Sequence, residues 1–391
     1  MGRSRDLANL GDYSASSFQI DTITDTSGGN TTSINSTTPT TNTNVGKNRI
    51  INGSMVVAQR NGGASTTLTN SATTYCVDRW AFYRDLGGTF TAVQSGTAPA
   101  GFSSSSLITA STGASPSAAQ VNFVQQQIEG FNVDDLKWGT SDAKPVTLSF
   151  WVRSSVTGSF PVGISNVNIT RSNRFDVTIS SANTWTYVTK TIAGDTTGTW
   201  ATGNTAGIRV YFDLGSGSDY VGTADTWTGT WDIRTSSSMT WGATTGATLY
   251  ITGVQLEVGS VATEFERRPY GTELALCERY FQTYGRDGGS VGRLCIASNN
   301  SGTPIGGMNF PTMRSAPSLT AYGGSSTTGN VNYVYSGSAA GVAANNMFSY
   351  SNFGNNTWIF NGNVTGVGNY PYWLDFGTNT NNLILELSAE L

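Results

Sequence analysis

Planar aromatic rings that face solvent can stack on the C–H face of a sugar ring, and planar polar side chains beside them can bond its hydroxyls. Two alternating runs offer that combination. Val146-Thr147-Leu148-Ser149-Phe150-Trp151-Val152-Arg153 places Val146, Leu148, Phe150 and Val152 on one strand face and Thr147, Ser149, Trp151 and Arg153 on the other. Gly207-Ile208-Arg209-Val210-Tyr211-Phe212-Asp213-Leu214 repeats the scheme, with Ile208, Val210, Phe212 and Leu214 inward and Arg209, Tyr211 and Asp213 outward. Trp151 and Tyr211, beside Arg209, Arg153 and Asp213, have the composition of a shallow glycan platform. A second reading stays open, in which a loop or a neighbouring subunit covers this face and Trp151 is one more buried aromatic. Near the C-terminus, Trp358, Tyr370, Tyr372 and Trp373 lie among Asn and Gly. Asn369-Tyr370-Pro371-Tyr372-Trp373 reads as a loop-borne aromatic patch, with a strand edge packed into a local core as the other reading. Asn pairs at 345–346 and 355–356 suit turns in either case.

Enzymatic chemistry is poorly served. The chain contains no histidine, which excludes Ser-His-Asp and Cys-His nucleophile systems and zinc sites that need imidazole. A glycosidase needs only two carboxylates across a cleft. Asp134, Asp135, Asp195, Asp213, Asp219, Asp225 and Asp232 are nevertheless scattered over turns and strands with no spacing that pairs them. Glu264 and Glu266 beside Arg267 and Arg268 read as an exposed ion-pair network rather than an acid/base couple. The expectation is a non-enzyme with no catalytic residues. Cys76, Cys277 and Cys295 have neither zinc-knuckle nor disulfide-framework spacing and read as reduced core residues, with a Cys277–Cys295 pair as the alternative.

The elements that must position these side chains are strands. Only 12% of the 391 residues are charged, against about 25% in ordinary soluble domains, and Gly, Ser, Thr and Asn supply the solvation. That balance suits short strands and many turns. Besides the two runs above, strands are expected at 77–83, 88–94, 120–129, 161–164, 174–179, 185–192 and 247–257, enough for a jelly roll. Thr272 to Tyr284 reads as a helix with Thr272 as N-cap and Gly285 as its stop. Its stripe of Leu274, Cys277 and Phe281 packs either on sister chains or on its own sandwich. The net charge of −4 and the scattered Lys and Arg exclude a polyanion-binding field, so nucleic acid is not an expected partner. No apolar run has the length of a signal peptide core or a membrane span, so synthesis in a cytoplasm without membrane insertion is expected.

Four segments carry a resemblance to a known family. They are Asn48-Arg49-Ile50-Ile51-Asn52-Gly53-Ser54-Met55, the run Ile251-Thr252-Gly253-Val254-Gln255-Leu256-Glu257-Val258-Gly259 continuing through Ala262 to Tyr270, the step Pro311-Thr312-Met313-Arg314-Ser315-Ala316-Pro317-Ser318-Leu319, and the terminal Ala389-Glu390-Leu391. Together they resemble tail fibres and related virion appendages of tailed bacteriophages that contain a carbohydrate-binding-module-like jelly roll. The resemblance implies an all-β chain: an N-terminal attachment segment and Thr/Ser/Asn-rich linker (1–47), a jelly-roll β-sandwich (48–268), a connecting helix (269–285) and a C-terminal β tip (286–391).

The resemblance also implies a virion location. Arg3, Arg5, Asp6, Leu7 and Leu10 would dock on other virion proteins (a tail adaptor, nozzle or baseplate), the chain would form a homotrimer, and host cell-surface glycan would be the ligand. Trp151, Arg209, Tyr211, Trp358, Tyr370, Tyr372 and Trp373 are the candidate glycan contacts. No cofactor is expected beyond a structural calcium, which jelly-roll binding modules often hold but for which no motif is present. The alternatives are a structural or decoration fibre of head or tail that binds no receptor, and a polysaccharide depolymerase. The absence of any solenoid-period repeat speaks against the latter's β-helical architecture.

Overall fold

The computed structural model describes residues 46–60, 63–284, 293–298, 304–322, 331–335, 343–344, 348–352, 357–362, 372–375 and 384–391. Twelve strands build the larger part: β1 (Thr66–Thr67), β2 (Ala72–Tyr75), β3 (Ala81–Arg84), β4 (Thr89–Ser95), β5 (Ser105–Thr112), β6 (Asn122–Glu129), β7 (Val146–Ser154), β8 (Gly158–Asn166), β9 (Ser172–Ile179), β10 (Thr186–Ile192), β11 (Ala206–Asp213) and β12 (Ala247–Val258). They form two antiparallel six-stranded sheets, ordered β1-β4-β5-β12-β7-β10 (sheet I) and β2-β3-β6-β11-β8-β9 (sheet II). The protein is an all-β, jelly-roll-like sandwich. The alternation in the sequence dictates the filling: Leu148, Phe150 and Val152 of β7 meet Val162 of β8 and Val210 and Phe212 of β11 in one core, all fully buried. Phe150 and Phe212 touch edge to face at 5.0 Å, linking the sheets.

Three strand expectations shift. Residues 77–80 are not strand; Arg79 adopts φ +71° and the strand begins at Ala81. β2 and β5, rich in Ser and Thr, carried too weak an alternation to be read. The helix α1 spans Tyr270–Glu278 after Pro269, and Phe281–Tyr284 forms β13 instead of a last helical turn. The reason is pairing. β13 lies against β22 (Ile384–Ser388), with Phe281 opposite Ser388 and Tyr284 opposite Leu385, so these residues satisfy their backbone across strands. The apolar side of α1 packs on its own chain, where Cys277 and Tyr280 are enclosed with Ile51 and Val57. Cys76 and Cys277 are buried free thiols.

The C-terminal part continues with β14 (Arg293–Ser298), β15 (Pro304–Asn309), β16 (Ser318–Tyr322), β17 (Val331–Tyr335), β18 (Ala343–Ala344), β19 (Phe348–Asn352), β20 (Thr357–Gly362) and β21 (Tyr372–Asp375). β13, β22 and β16 make a three-stranded sheet, and the remaining strands a seven-stranded one ordered β18-β17-β21-β14-β15-β20-β19. No helix among the described residues is long and apolar enough to cross a membrane.

The four family-like segments meet in one joint. Asn48 donates to Val254 O (3.1 Å) and accepts from Ile50 N (3.0 Å) and Leu256 N (3.1 Å). Asn52, at φ +56°, donates to Val57 O (2.8 Å) and Asp78 O (2.9 Å) and accepts from Val57 N. A Cβ on Gly53 would lie 2.1 Å from Val254 O, so only glycine lets the two segments close. β12 bulges between Thr252 and Gln255, with Gly253 at φ +62°, and this frees Val254 N to bond Gly53 O at 2.9 Å. On the far side Arg314 donates to Ala389 O, Asn204 O and Glu390 O, while Glu390 pairs with Arg60 (2.9 Å) and Arg79. The pairing expected of Glu266 and Arg268 is present, but it is enclosed in this joint rather than exposed. Glu266 accepts from Asn48 N, and Arg268 bonds Ile50 O and lies 3.4 Å from Glu273. Arg267 instead lies over the rings of Phe102 (4.7 Å) and Phe265.

Candidate functional site

The pairing register fixes which side chains share the outer face of sheet II. Opposed positions form one row Gln127–Arg209–Ser165, the next row Gln125–Tyr211–Gly163–Arg174, and a third Tyr83–Phe123–Asp213. The chain between β11 and β12 crosses this face. Trp231 meets Phe123 edge-on at 5.7 Å and Tyr220 at 5.3 Å, while the Arg209 guanidinium lies 5.7 Å from the centre of its ring.

Six enclosed polar atoms here have no hydrogen-bond partner: Gln125 Oε1, Ser165 Oγ, Arg209 Nε, Trp231 Nε1, and Arg174 Nε and Nη2, the last lying 3.6 Å from Asp232. Gln127, half-buried, stands next to Arg209 in its row. Burial lowers the Arg209 pKa to about 10, only partly offset by Tyr211. Enclosed polar groups normally find partners, because leaving one unpaired costs about 1–3 kcal/mol. The arrangement therefore offers an amide oxygen, a hydroxyl, an indole N–H and a guanidinium beside aromatic rings.

Trp151 and Tyr211 do not share a platform. β7 belongs to sheet I and β11 to sheet II, so both rings point outward on opposite faces of the sandwich. Alternation fixes a residue's phase within its strand but says nothing of which sheet the strand joins. Tyr211 is fully buried; its hydroxyl donates to Asp232 O (3.0 Å) and its ring fills the space over Gly163, where a Cβ would sit 2.4 Å from the hydroxyl oxygen. Burial also pushes its hydroxyl pKa up. Asp213 is buried too, accepting from Ser216 N and Oγ, and burial raises its pKa to about 6. Trp151 is half-buried on the outer face of sheet I, its ring 5.1 Å from that of the exposed Tyr187. Arg153 there is already engaged, donating to Asn183 O (2.9 Å) and lying over Tyr250.

The distal aromatics fall partly on strands. Trp358 lies on β20 opposite Met308, and Tyr372 and Trp373 begin β21 rather than sitting on a loop, with Trp373 between Cys295 and Val334. The alternation of Tyr372-Trp373-Leu374-Asp375 with β14 and β17 outcompetes the turn signal of Asn369. Tyr370, the Asn pairs at 345–346 and 355–356, and Arg3, Arg5, Asp6, Leu7 and Leu10 lie outside the described residues.

No protein-family model and no curated protein matches this sequence. Among solved structures, the chain is similar to the enzymatically active domain of bacteriophage CBA120 tailspike protein 4, at 11% identity and a TM-score of 0.30 over 54% of this chain. The match spans 21% of that chain. It is also similar to a structure described as CBM4 (14% identity, TM-score 0.27, 53% of this chain and 98% of that one). A third is the C-terminal family 22 carbohydrate binding module of Clostridium thermocellum Xyn10B (14%, 0.26, 48% and 89%). At these scores the site must be argued from its own residues.

Gln125, Gln127, Ser165 and Trp231 went unread in the sequence. The run Gln125-Gln126-Gln127 within a predicted strand was the available signal, since alternation must send the outer two to one face and Gln126 to the other. Gln126 accepts from Ile51 N and donates to Ile51 O, both at 2.8 Å. Another aromatic group, Trp138, Trp200 and Trp227, has ring centres 4.7–5.5 Å apart, with Trp138 and Trp200 beside a cleft of about 460 Å³. Their indoles all donate to backbone carbonyls, of Lys144, Thr197 and Ala193, so this cluster braces loops, unlike Trp231. Among the described residues no three His, Cys, Asp or Glu side chains converge on a metal site. The two carboxyls raised to about 6, Asp78 and Asp213, are both enclosed and hydrogen-bonded.

Proposed function

We propose that this chain is a non-catalytic carbohydrate-binding protein of a tailed-phage appendage, and that the outer face of sheet II takes the glycan. One observation carries the glycan reading: unpaired, enclosed polar groups on Gln125, Ser165, Arg209 and Trp231 next to the rings of Trp231 and Phe123. Sugar hydroxyls supply both donors and acceptors and would satisfy them at once. The appendage part rests on the four family-like segments; their residues are structural, which fits a shared scaffold rather than a shared ligand. In this account residues 1–47 dock on the particle and host-surface glycan is the target. A homotrimer would multiply weak contacts through effective concentration. A glycan microarray tests the reading: the protein binds at least one glycan class, and Trp231→Ala lowers that signal by about tenfold or more while still unfolding in a single cooperative melting transition. Equal binding by Trp231→Ala would move the site elsewhere, Trp151 and Tyr187 on sheet I being the next surface to test.

A further inference from the structure

The unpaired guanidinium on sheet II narrows the ligand class. Most other described arginines have an oxygen partner. Arg49, Arg60, Arg79, Arg171, Arg268 and Arg279 pair with carboxylates, and Arg84, Arg153, Arg174, Arg234 and Arg314 bond backbone carbonyls. Arg209 has neither among the described residues, and two carboxylates of this face, Asp213 on β11 and Asp232 on the crossing chain, are committed. Asp213 accepts from Ser216, and Asp232 faces Arg174 and Thr230.

From this juxtaposition we infer that the glycan carries a carboxylate, as in a hexuronic or sialic acid unit, and that Arg209 receives it while Ser165, Gln125 and the Trp231 indole bond the adjoining hydroxyls. The inference rests on the glycan reading of the same face. The guanidinium fork matches the two oxygens of a carboxylate, and the charge-assisted bonds so formed are about twice as strong as neutral ones. Arg209 is the one cation of its row, and Arg174 in the next row faces Asp232 at 3.6 Å, which suits a singly charged group better than a phosphate. The Gln125 oxygen, nine-tenths buried and unpaired, points to the same ligand, because it can accept a sugar O–H that a bare anion could not offer. The depressed pKa of Arg209 agrees: desolvation of the cation is already present, and a bound anion would compensate it.

The test measures calorimetric affinity for polygalacturonate, alginate, hyaluronan and polysialic acid oligosaccharides, each against its carboxyl-reduced form, with neutral dextran and mannan oligosaccharides alongside. The expected result is binding of at least one acidic oligosaccharide about tenfold or more tighter than its reduced form. Arg209→Gln should erase that preference, lowering affinity for the acidic oligosaccharide about tenfold or more beyond any loss for its reduced form. Equal affinity for acidic and reduced forms, or binding of neutral glycans alone, overturns the carboxylate inference and leaves the glycan reading standing. No binding to any member of the panel overturns both. If Arg209→Gln fails to fold, Arg209→Lys serves in its place, because it keeps the charge but loses the planar fork and should weaken the preference.

Discussion

At the joint, Asn48, Asn52, Gln126 and Arg314 each bond the backbone of distant segments, although Arg49 Nε, Arg79 Nε and Asn204 Oδ1 have no hydrogen-bond partner. On the outer face of sheet II the same residue types, Gln125, Arg209 and Ser165, hold enclosed polar atoms with nothing to bond. Both regions are polar and both sit largely out of water, yet the amides of Asn48, Asn52 and Gln126 tie segments together while those of Gln125 and Gln127 tie none. The difference separates scaffold from site. A satisfied buried network specifies the fold, whereas an unsatisfied one destabilises it and persists where something else completes it. Gln125 and Gln126, adjacent in β6, show the contrast across a single peptide bond.

Breaking the joint should have the largest effect. Asn48→Ala leaves Ile50 N, Leu256 N and Val254 O without their partner, and we expect a loss of about 4 kcal/mol in chemical denaturation, from unpaired buried backbone groups at about 1–3 kcal/mol each. Gln126→Leu removes both bonds to Ile51 and should cost about 3 kcal/mol in the same assay. Asp213 gives a pH-dependent test. Its folded pKa of about 6 lies above the ordinary 3.8, so the folded state binds more protons between those values. The stability it contributes is greatest below pH 4 and falls as pH rises through 6. Asp213→Asn should flatten that decline by on the order of 2 kcal/mol, read from melting curves between pH 4 and 7. The smallest effect has the opposite sign. Gln125→Leu replaces an unsatisfied amide by an apolar side chain of similar size and should raise stability by about 1 kcal/mol. A loss there would put Gln125 with the joint rather than with the site.

What the sequence made legible follows from which interactions are local. Phe150 and Phe212 announced their strands because alternation is written into each run, and so the core and the all-β class were readable. Asn48, Gly53 and Arg314 stood out only as parts of a family pattern; their contacts join positions 110 (Arg314 and Asn204) to 206 (Asn48 and Val254) residues apart, and no spacing rule reveals those. Trp151 and Tyr211 were grouped wrongly because sheet membership depends on pairing order. Arg209 was found by its outward phase, while Trp231 lies on a crossing loop where no periodicity operates. The end of α1 was misplaced because Phe281 to Tyr284 pair with a strand from the far end of the chain.

The central claim is that the outer face of sheet II is kept unsatisfied for a glycan. Its most direct test is the glycan-array signal of a Gln125→Leu, Gln127→Leu double variant whose melting temperature is measured on the same sample. The account predicts a protein at least as stable as the unmodified chain that has lost its glycan signal. A variant that still binds as strongly would contradict it.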